Sequence, residues 1–131
     1  MFSVANMKSN KPHLLIAVDV FGQAHIEAIA QAVEGWATWE QIPETASPAE
    51  QMAKLATADI MIGWPELEWL LPSPIKLLLC PSVGYDYYQD PELIARPGFI
   101  FCNGSGTKSE GIAEHCLAMM VSTRLWPPND N

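Results

Sequence analysis

The chain has 131 residues, enough for one domain with a sizeable core. Hydrophobic residues make up 49% of it and charged residues 17%, which is typical of a globular protein and excludes a disordered one. Seven Lys and Arg stand against fifteen Asp and Glu, and the formal net charge of −8 argues against nucleic acids and anionic membranes as partners. Every long apolar run is interrupted before about 18 residues, and residues 1–12 lack the apolar stretch of a signal peptide, so neither a membrane span nor a leader is expected.

Short apolar runs alternate with helix-like stretches along the chain. The predicted strands are residues 13–20, 35–41, 58–63, 75–80 and 99–103. The predicted helices are residues 23–34, 47–56, a short turn at 66–71, and a long apolar helix at 107–124. Strands that alternate with helices indicate an α/β fold, in which about five strands form a doubly wound, mostly parallel sheet with helices on its faces.

The ends of three predicted helices carry capping residues. Gly35 follows the first helix and is typical of a C-cap. Ser47 and Pro48 are the residue types favoured at the N-cap and at the first position of the second helix. Thr107 and Glu110 have the spacing of a capping box, which predicts that Thr107 opens the last helix.

The last predicted helix carries apolar side chains around more than one face. One face is expected to lie on the sheet of its own domain. The other face would meet water, and burying each Leu-sized or Met-sized side chain contributes about 1.5–3 kcal/mol, which favours symmetric association. We therefore predict a homodimer, with an interface on this helix formed by Ile112, Cys116, Met119, Met120 and Thr123.

Two glycine-containing turns follow predicted strands. Gly104 and Gly106 stand where a dinucleotide-binding loop would, but the pattern then needs a Gly at the position of Ser109 and an acid about 20 residues on, where Arg124 stands. A phosphate-binding loop is also excluded, because Ile112 occupies the position of its Lys. The sequence therefore predicts no nucleotide site of its own.

The second turn, Val83–Gly84, follows the fourth predicted strand. A Gly there allows two backbone N–H groups to face outward, and such a pair binds carboxylates. An ordinary turn glycine explains the same residues, and the local sequence alone favours that explanation. Trp64 and Pro65 end the third strand at the same edge of the sheet, where α/β proteins bind their ligands.

The remaining polar candidates carry weaker signals. His13, His25 and His115 lie far apart without an obvious partner, so structural or solvent-exposed roles are favoured over catalysis. Cys80 and Cys102 stand near the ends of neighbouring strands and are expected to be buried, inert thiols. Three cysteines without metal-ligand spacing are typical of a reduced, cytoplasmic protein without a bound metal.

Three segments stand out by their order and spacing. They are Cys80-Pro-Ser-Val-Gly-Tyr-Asp86, Phe101-Cys-Asn103, and Gly111-Ile-Ala-Glu-His115 in a helix that continues to Arg124. Together they resemble the D-isomer-specific 2-hydroxyacid dehydrogenase family, over about residues 12–124. The resemblance implies a flavodoxin-like substrate domain for residues 13–106, and a helix at 107–124 that crosses to the coenzyme domain and helps to build the family's dimer.

The resemblance also implies roles for single residues. The backbone around Ser82, Val83 and Gly84 would bind the substrate carboxylate, and Asn103 would lie at the substrate cleft. NAD or NADP is the implied coenzyme. The family's Gly-rich loop, substrate-binding Arg and Glu-polarised catalytic His follow this helix in the coenzyme domain and have no counterpart in this sequence. His115 matches a His that the family carries on this helix, which is not the family's catalytic acid or base. We therefore predict no catalytic residue and no cofactor site in this sequence. The chain is expected to be inactive alone.

Three interpretations of the function remain open. In the first, the chain is a truncated or stand-alone substrate domain, with tails at residues 1–12 and 125–131, of a family of NAD(P)-dependent oxidoreductases. In the second, it is a binding module for small 2-oxo or 2-hydroxy acids. In the third, it is an interaction protein that pairs with full-length relatives through its last helix. A titration with small carboxylates distinguishes the second from the other two.

Overall fold

The structure is a computed structural model that describes residues 11–125, with the surroundings of side chains given for residues 11–122. The strands are β1 (His13–Ala17), β2 (Thr38–Gln41), β3 (Ile60–Gly63), β4 (Leu77–Cys80) and β5 (Ile100–Asn103). The helices are α1 (Gln23–Val33), α2 (Pro48–Leu55), α3 (Leu67–Leu70), α4 (Pro91–Ala95) and α5 (Ser109–Leu125), with a 3-10 turn at Asp86–Tyr88.

The five strands form one parallel sheet in the order β2-β1-β3-β4-β5. The α/β fold, the number of strands and their parallel pairing were all predicted from the sequence and are confirmed. The order is consistent with the flavodoxin-like variant of doubly wound sheets. The direction in which strands are added reverses between β1 and β3, and this reversal places a crevice at their carboxyl ends.

The central strands are apolar on both faces because helices cover both. Alternate residues of β1 point to opposite sides, so Leu15 packs in one cluster and Leu14 in the other. The first cluster includes Leu55 at the end of α2 and Leu70 at the end of α3, and the second includes Ile26 of α1. Continuous apolar runs such as the one in β1 are typical of parallel strands buried on both faces.

Helix caps predicted from the sequence are largely found. Ser47 Oγ accepts a hydrogen bond of 3.3 Å from the Glu50 N–H, and Gly35 has the positive φ, 85°, of a residue that ends a helix. Helix α4 was not predicted, although Asp90 repeats the Ser47 pattern: its Oδ1 accepts from the Glu92 N–H at 2.9 Å, and a Pro follows it. The segment between β4 and β5 is therefore more ordered than the predicted polar loop.

Helix α5 differs from the prediction in three respects. It begins at Ser109, because Thr107 Oγ1 donates to the Gly104 carbonyl at 2.7 Å instead of capping the helix. Its 17 residues include recurring polar side chains, so the expectation of a long apolar helix is not supported. The expectation that one face lies on the domain's own sheet is wrong, since all the described α5 side chains are exposed.

Among residues 11–125, no helix is long and apolar enough to cross a membrane. Most of the two predicted tails, namely residues 1–10 and 126–131, lies outside the described part of the chain.

Candidate functional site

The candidate site lies at the carboxyl edge of the sheet, where the loops after β1, β3, β4 and β5 converge. Parallel strands end at the same edge, so residues far apart in the sequence become neighbours there. Two cavities open at this edge, one beside the turn after β4 and one at the carboxyl ends of β1 and β3.

The structure brings all four predicted substrate-binding residues together. The side-chain amide of Asn103 donates to the Val83 carbonyl oxygen at 2.8 Å, and the Gly104 N–H donates to the Ser82 carbonyl oxygen at 2.7 Å. Asn103 Oδ1 in turn accepts from the Ser105 N–H at 3.2 Å. The end of β5 therefore holds the Ser82–Gly84 turn in place through two hydrogen bonds, while the third fixes the Asn103 side chain that positions this turn.

The turn presents backbone donors to solvent. Within the described residues, the N–H groups of Val83 and Gly84 have no hydrogen-bond acceptor. The Ser82 hydroxyl lies 3.1 Å from Cys80 Sγ and donates to the Gly84 carbonyl at 3.3 Å, so it fixes the conformation of the turn. Successive N–H groups without an internal acceptor are a known way for a turn to bind an anion.

The first cavity, of about 360 Å³, lies beside Gly84. Its wall includes Trp64 and Glu66, together with three consecutive residues of the loop after β4: Tyr85, Asp86 and Tyr87. The Tyr87 O–H donates to Glu66 Oε2 at 2.6 Å, and this bond raises the pKa of Tyr87. The cavity thus combines Ser82 and Gly84 of the turn with aromatic rings and two carboxylates.

Buried Tyr88 forms the base of this cavity. Its hydroxyl donates to the Pro65 carbonyl at 3.0 Å, and burial raises its pKa, so it stays protonated across the physiological range. Its ring lies 5.4 Å from that of Phe101 on β5. Tyr88 therefore ties the loop after β3 to the loop after β4.

The second cavity, of about 260 Å³, lies at the reversal point between β1 and β3. It is lined by Ala17, Glu44, Gln51, Met61, Trp64, Glu66 and Trp69. Gly63 permits the close approach of the two strands, because its φ is 154° and a Cβ at this position would lie 2.8 Å from the Ala17 carbonyl oxygen. The two cavities share Trp64 and Glu66 as a common wall.

Other candidates from the sequence lie elsewhere. His13 has partners after all: its ring nitrogens lie 2.9 Å from Thr38 Oγ1 and 3.0 Å from Glu40 Oε1, at the amino edge of the sheet. Cys80 is buried as predicted, but the prediction for Cys102 is wrong, because its pairing with Leu79 turns it to the opposite face, where it is exposed. Within the described residues, no group of three or more His, Cys, Asp or Glu could hold a metal ion.

The predicted dimer residues are exposed on α5. The exposed fractions are 58% for Ile112 and 49% for Met119, and Cys116 and Met120 are exposed as well. The side chain of Thr123 lies outside the described part of the chain. His25 and His115 are exposed too, as expected for solvent-facing residues.

Sequence reasoning placed Trp64 at this edge but missed Glu44, Glu66 and Trp69 of the second cavity. Glu44 follows β2 and Glu66 follows the Trp64–Pro65 pair, so their position just after strand ends was the available signal. Trp69 lies on a helical turn whose packing the sequence does not specify.

A comparison of the chain with models of known protein families finds no match. A comparison with curated proteins finds none either.

Proposed function

We propose that this chain is a carboxylate-binding α/β domain of the type found as the substrate domain of D-isomer-specific 2-hydroxyacid dehydrogenases. Its ligand would be a small 2-oxo or 2-hydroxy acid. The observation that carries the proposal is the pair of free N–H groups at Val83 and Gly84, held at the carboxyl end of β4 by Asn103. The strand order supports it, since a flavodoxin-like sheet places ligands at this edge.

The predicted affinity is low. Affinity in the millimolar range corresponds to about 4 kcal/mol, and hydrogen bonds to a charged group contribute about 1.5–3 kcal/mol each before the entropy of binding is subtracted. Glu66 and Asp86 line the adjacent cavity and repel an anion. Two N–H donors in a negatively charged surrounding therefore support weak binding of a plain carboxylate.

In this proposal the chain contributes substrate binding and not hydride transfer. Hydride transfer needs a nicotinamide coenzyme and a group that exchanges a proton with the substrate. We assign neither to a residue of this chain. NAD or NADP and the catalytic groups would come from a coenzyme domain of the family's type.

Titration of the ¹⁵N-labelled chain with pyruvate, followed by NMR, tests the proposed site. We expect saturable shifts of the Val83, Gly84 and Tyr85 amide signals at millimolar pyruvate, and no such shifts with acetone, which lacks the carboxylate. Shifts confined to other surfaces would contradict the proposal.

A matched pair of variants at Gly84 tests the donor directly. Gly84→Pro removes the N–H, whereas Gly84→Ala keeps it, and a Cβ at this position has no neighbour within 4 Å. Pyruvate binding should be lost in the first variant and kept in the second. Equal binding by the two folded variants would refute the assignment of this donor.

An interaction function through α5 is the second candidate. The specific observation is that Ile112, Met119 and Met120 are each about half exposed or more on the predicted interface side of the helix. Apolar side chains in this number on a single element are typical of an interface. In this proposal the partner is a second copy of the chain, in line with the resembling family's use of the same helix.

A further inference from the structure

The second cavity combines acidic and aromatic side chains without a compensating cation. Glu44 and Glu66 line it together with Trp64 and Trp69, and none of its lining residues is Lys, Arg or His. It lies at the reversal point of the strand order, the usual ligand position in a doubly wound sheet. Trp69 packs partly against the core, whereas Trp64 is 39% exposed and presents its indole beside the two acids.

Both carboxylates are oriented but not neutralised. Glu44 Oε1 accepts from the Asp19 N–H at 2.7 Å, and Glu66 Oε2 accepts from the Tyr87 hydroxyl at 2.6 Å. Each carboxylate keeps its second oxygen without a partner in the described part of the chain, where the ion pairs involve other acids, Glu40 and Asp59.

This combination selects one class of ligand. Indole faces attract organic cations through their π electrons, and a neighbouring carboxylate adds a charge-assisted hydrogen bond when the cation carries N–H groups. An anion would be repelled from this cavity, and a neutral ligand could donate hydrogen bonds to the carboxylates but would lack the charge attraction that an ammonium group adds. The cavity therefore has the chemistry of a site for an organic ammonium group.

The two cavities adjoin at Trp64 and Glu66, which line both. We propose that the ligand is a small zwitterion, whose carboxylate lies on the Val83 and Gly84 N–H groups and whose ammonium group lies between Glu66, Glu44 and the indole of Trp64. This inference rests on the proposed carboxylate site and extends it. It also resolves a conflict, because the charge of Glu66 opposes a plain carboxylate but stabilises a ligand that brings its own cation.

The test is a titration with three matched series of straight-chain compounds: ω-amino acids, the carboxylic acids of the same length, and the primary amines of the same length. Binding is read from the backbone signals of Val83 and Gly84 and from the indole N–H signals of Trp64 and Trp69. At one chain length we expect the ω-amino acid to bind at least about tenfold more tightly than either matched compound, which corresponds to about 1.4 kcal/mol.

Two isosteric variants locate the ammonium subsite. Glu66→Gln and Glu44→Gln keep a side-chain oxygen for the Tyr87 hydroxyl and the Asp19 N–H, so both should fold. Each should reduce the preference for the amino acid over the carboxylic acid by about tenfold. Glu114→Gln on the exposed helix α5 removes the same charge at a distance and should leave the preference unchanged.

The outcomes separate this inference from the proposed function. If carboxylic acids bind at Val83 and Gly84 but amino acids bind no more tightly at any length, the carboxylate site stands and the zwitterion inference is refuted. If amines bind at Trp64 and carboxylic acids do not bind, the carboxylate site is refuted and, with it, the zwitterion. An unchanged preference in Glu66→Gln would also overturn the inference.

Discussion

Asn103 and Val83, which are 20 residues apart in the sequence, are joined by a 2.8 Å hydrogen bond from the side-chain amide of Asn103 to the Val83 carbonyl oxygen. Because Oδ1 of the same side chain accepts from the Ser105 N–H, one amide fixes the loops after β4 and β5 relative to each other. The Val83 and Gly84 N–H groups are the candidate donors to a ligand carboxylate. Their orientation therefore depends on Asn103, whose two side-chain polar atoms are both hydrogen-bonded within the protein.

This relationship predicts how Asn103 variants behave. Asn103→Asp keeps an acceptor for Ser105 but loses the donor to Val83, so we expect the free energy of unfolding to fall by about 1–3 kcal/mol and pyruvate binding to weaken. Asn103→Ala should have a similar effect on binding without the added charge. Urea denaturation and NMR titration measure the two effects, and undiminished pyruvate affinity in Asn103→Ala would contradict a positioning role.

Arg96 is predicted to be a major contributor to stability. Its guanidinium donates to the carbonyl oxygens of Ser73, Ile75, Leu70 and Leu71, and it lies 5.5 Å from the Phe99 ring centroid. Arg96→Met keeps the aliphatic stem but leaves four carbonyls without this donor. We expect a loss of about 1.5–3 kcal/mol in the free energy of unfolding, measured in urea.

Arg96→Lys is the matched control for this prediction. It keeps the positive charge but replaces the planar fork by a single ammonium group, which reaches fewer of the four carbonyls. Its stability should fall between those of the unchanged chain and Arg96→Met. A Lys variant as stable as the unchanged chain would show that charge alone, and not the guanidinium geometry, is responsible.

The stability of the domain should decrease in acid through Glu40. Hydrogen bonds from Lys54 and then His13 lower the pKa of Glu40 in the folded chain. A group with a lowered folded pKa stabilises the protein above its ordinary value, about 4.3 for Glu, and this contribution is lost as the pH falls through the lowered value. Glu40→Gln should therefore be less stable at neutral pH and should lose less stability on acidification.

Urea unfolding of both chains between neutral and acidic pH measures this difference. Glu114→Gln serves as a control, because it removes an exposed carboxylate from α5 and should leave the pH dependence of the unchanged chain intact. Parallel pH profiles for Glu40→Gln and the unchanged chain would contradict the role of Glu40.

The chain is predicted to form a dimer through α5. Light scattering after gel filtration should give a dimer mass at micromolar concentration for the unchanged chain. Met119→Glu combined with Met120→Glu should give a monomer, because two carboxylates would have to be buried in the interface. Leu117→Glu combined with Val121→Glu introduces the same charge on another side of the helix and should reduce association less.

A monomer mass for the unchanged chain would refute the dimer. So would a dimer that the double substitution at Met119 and Met120 leaves intact.

The parts of the structure that could be predicted are those with a local signal. The continuous apolar run of β1 and the Ser47 cap identify a buried strand and a helix start without any knowledge of their neighbours. The Val83–Gly84 turn was singled out because a Gly follows β4. In the case of α4, the Asp90–Pro91 signal was present but was not recognised.

The parts that could not be predicted depend on register and packing. The exposure of Cys102 follows from its pairing with Leu79, and a shift of one residue would have turned it inward. Glu44 follows β2 and Glu66 follows β3, so the two acids line one cavity only after both strands have paired with β1. Their separation in the sequence gives no sign of this. The exposure of α5 depends on what its apolar side chains pack against, which a helical pattern does not specify.

The central position of β1 has a consequence for the order in which the domain is completed during synthesis. Its partners are β2 on one side and β3 on the other, with Leu14 paired to Trp39 and to Ile60. During synthesis one edge of β1 can pair with β2 once Thr38–Gln41 has emerged, but its other edge stays unpaired until Ile60–Gly63 has emerged. After that point β4 and β5 each join an existing edge as they appear, so the apolar β1 strand is most vulnerable to aggregation before β3 has emerged.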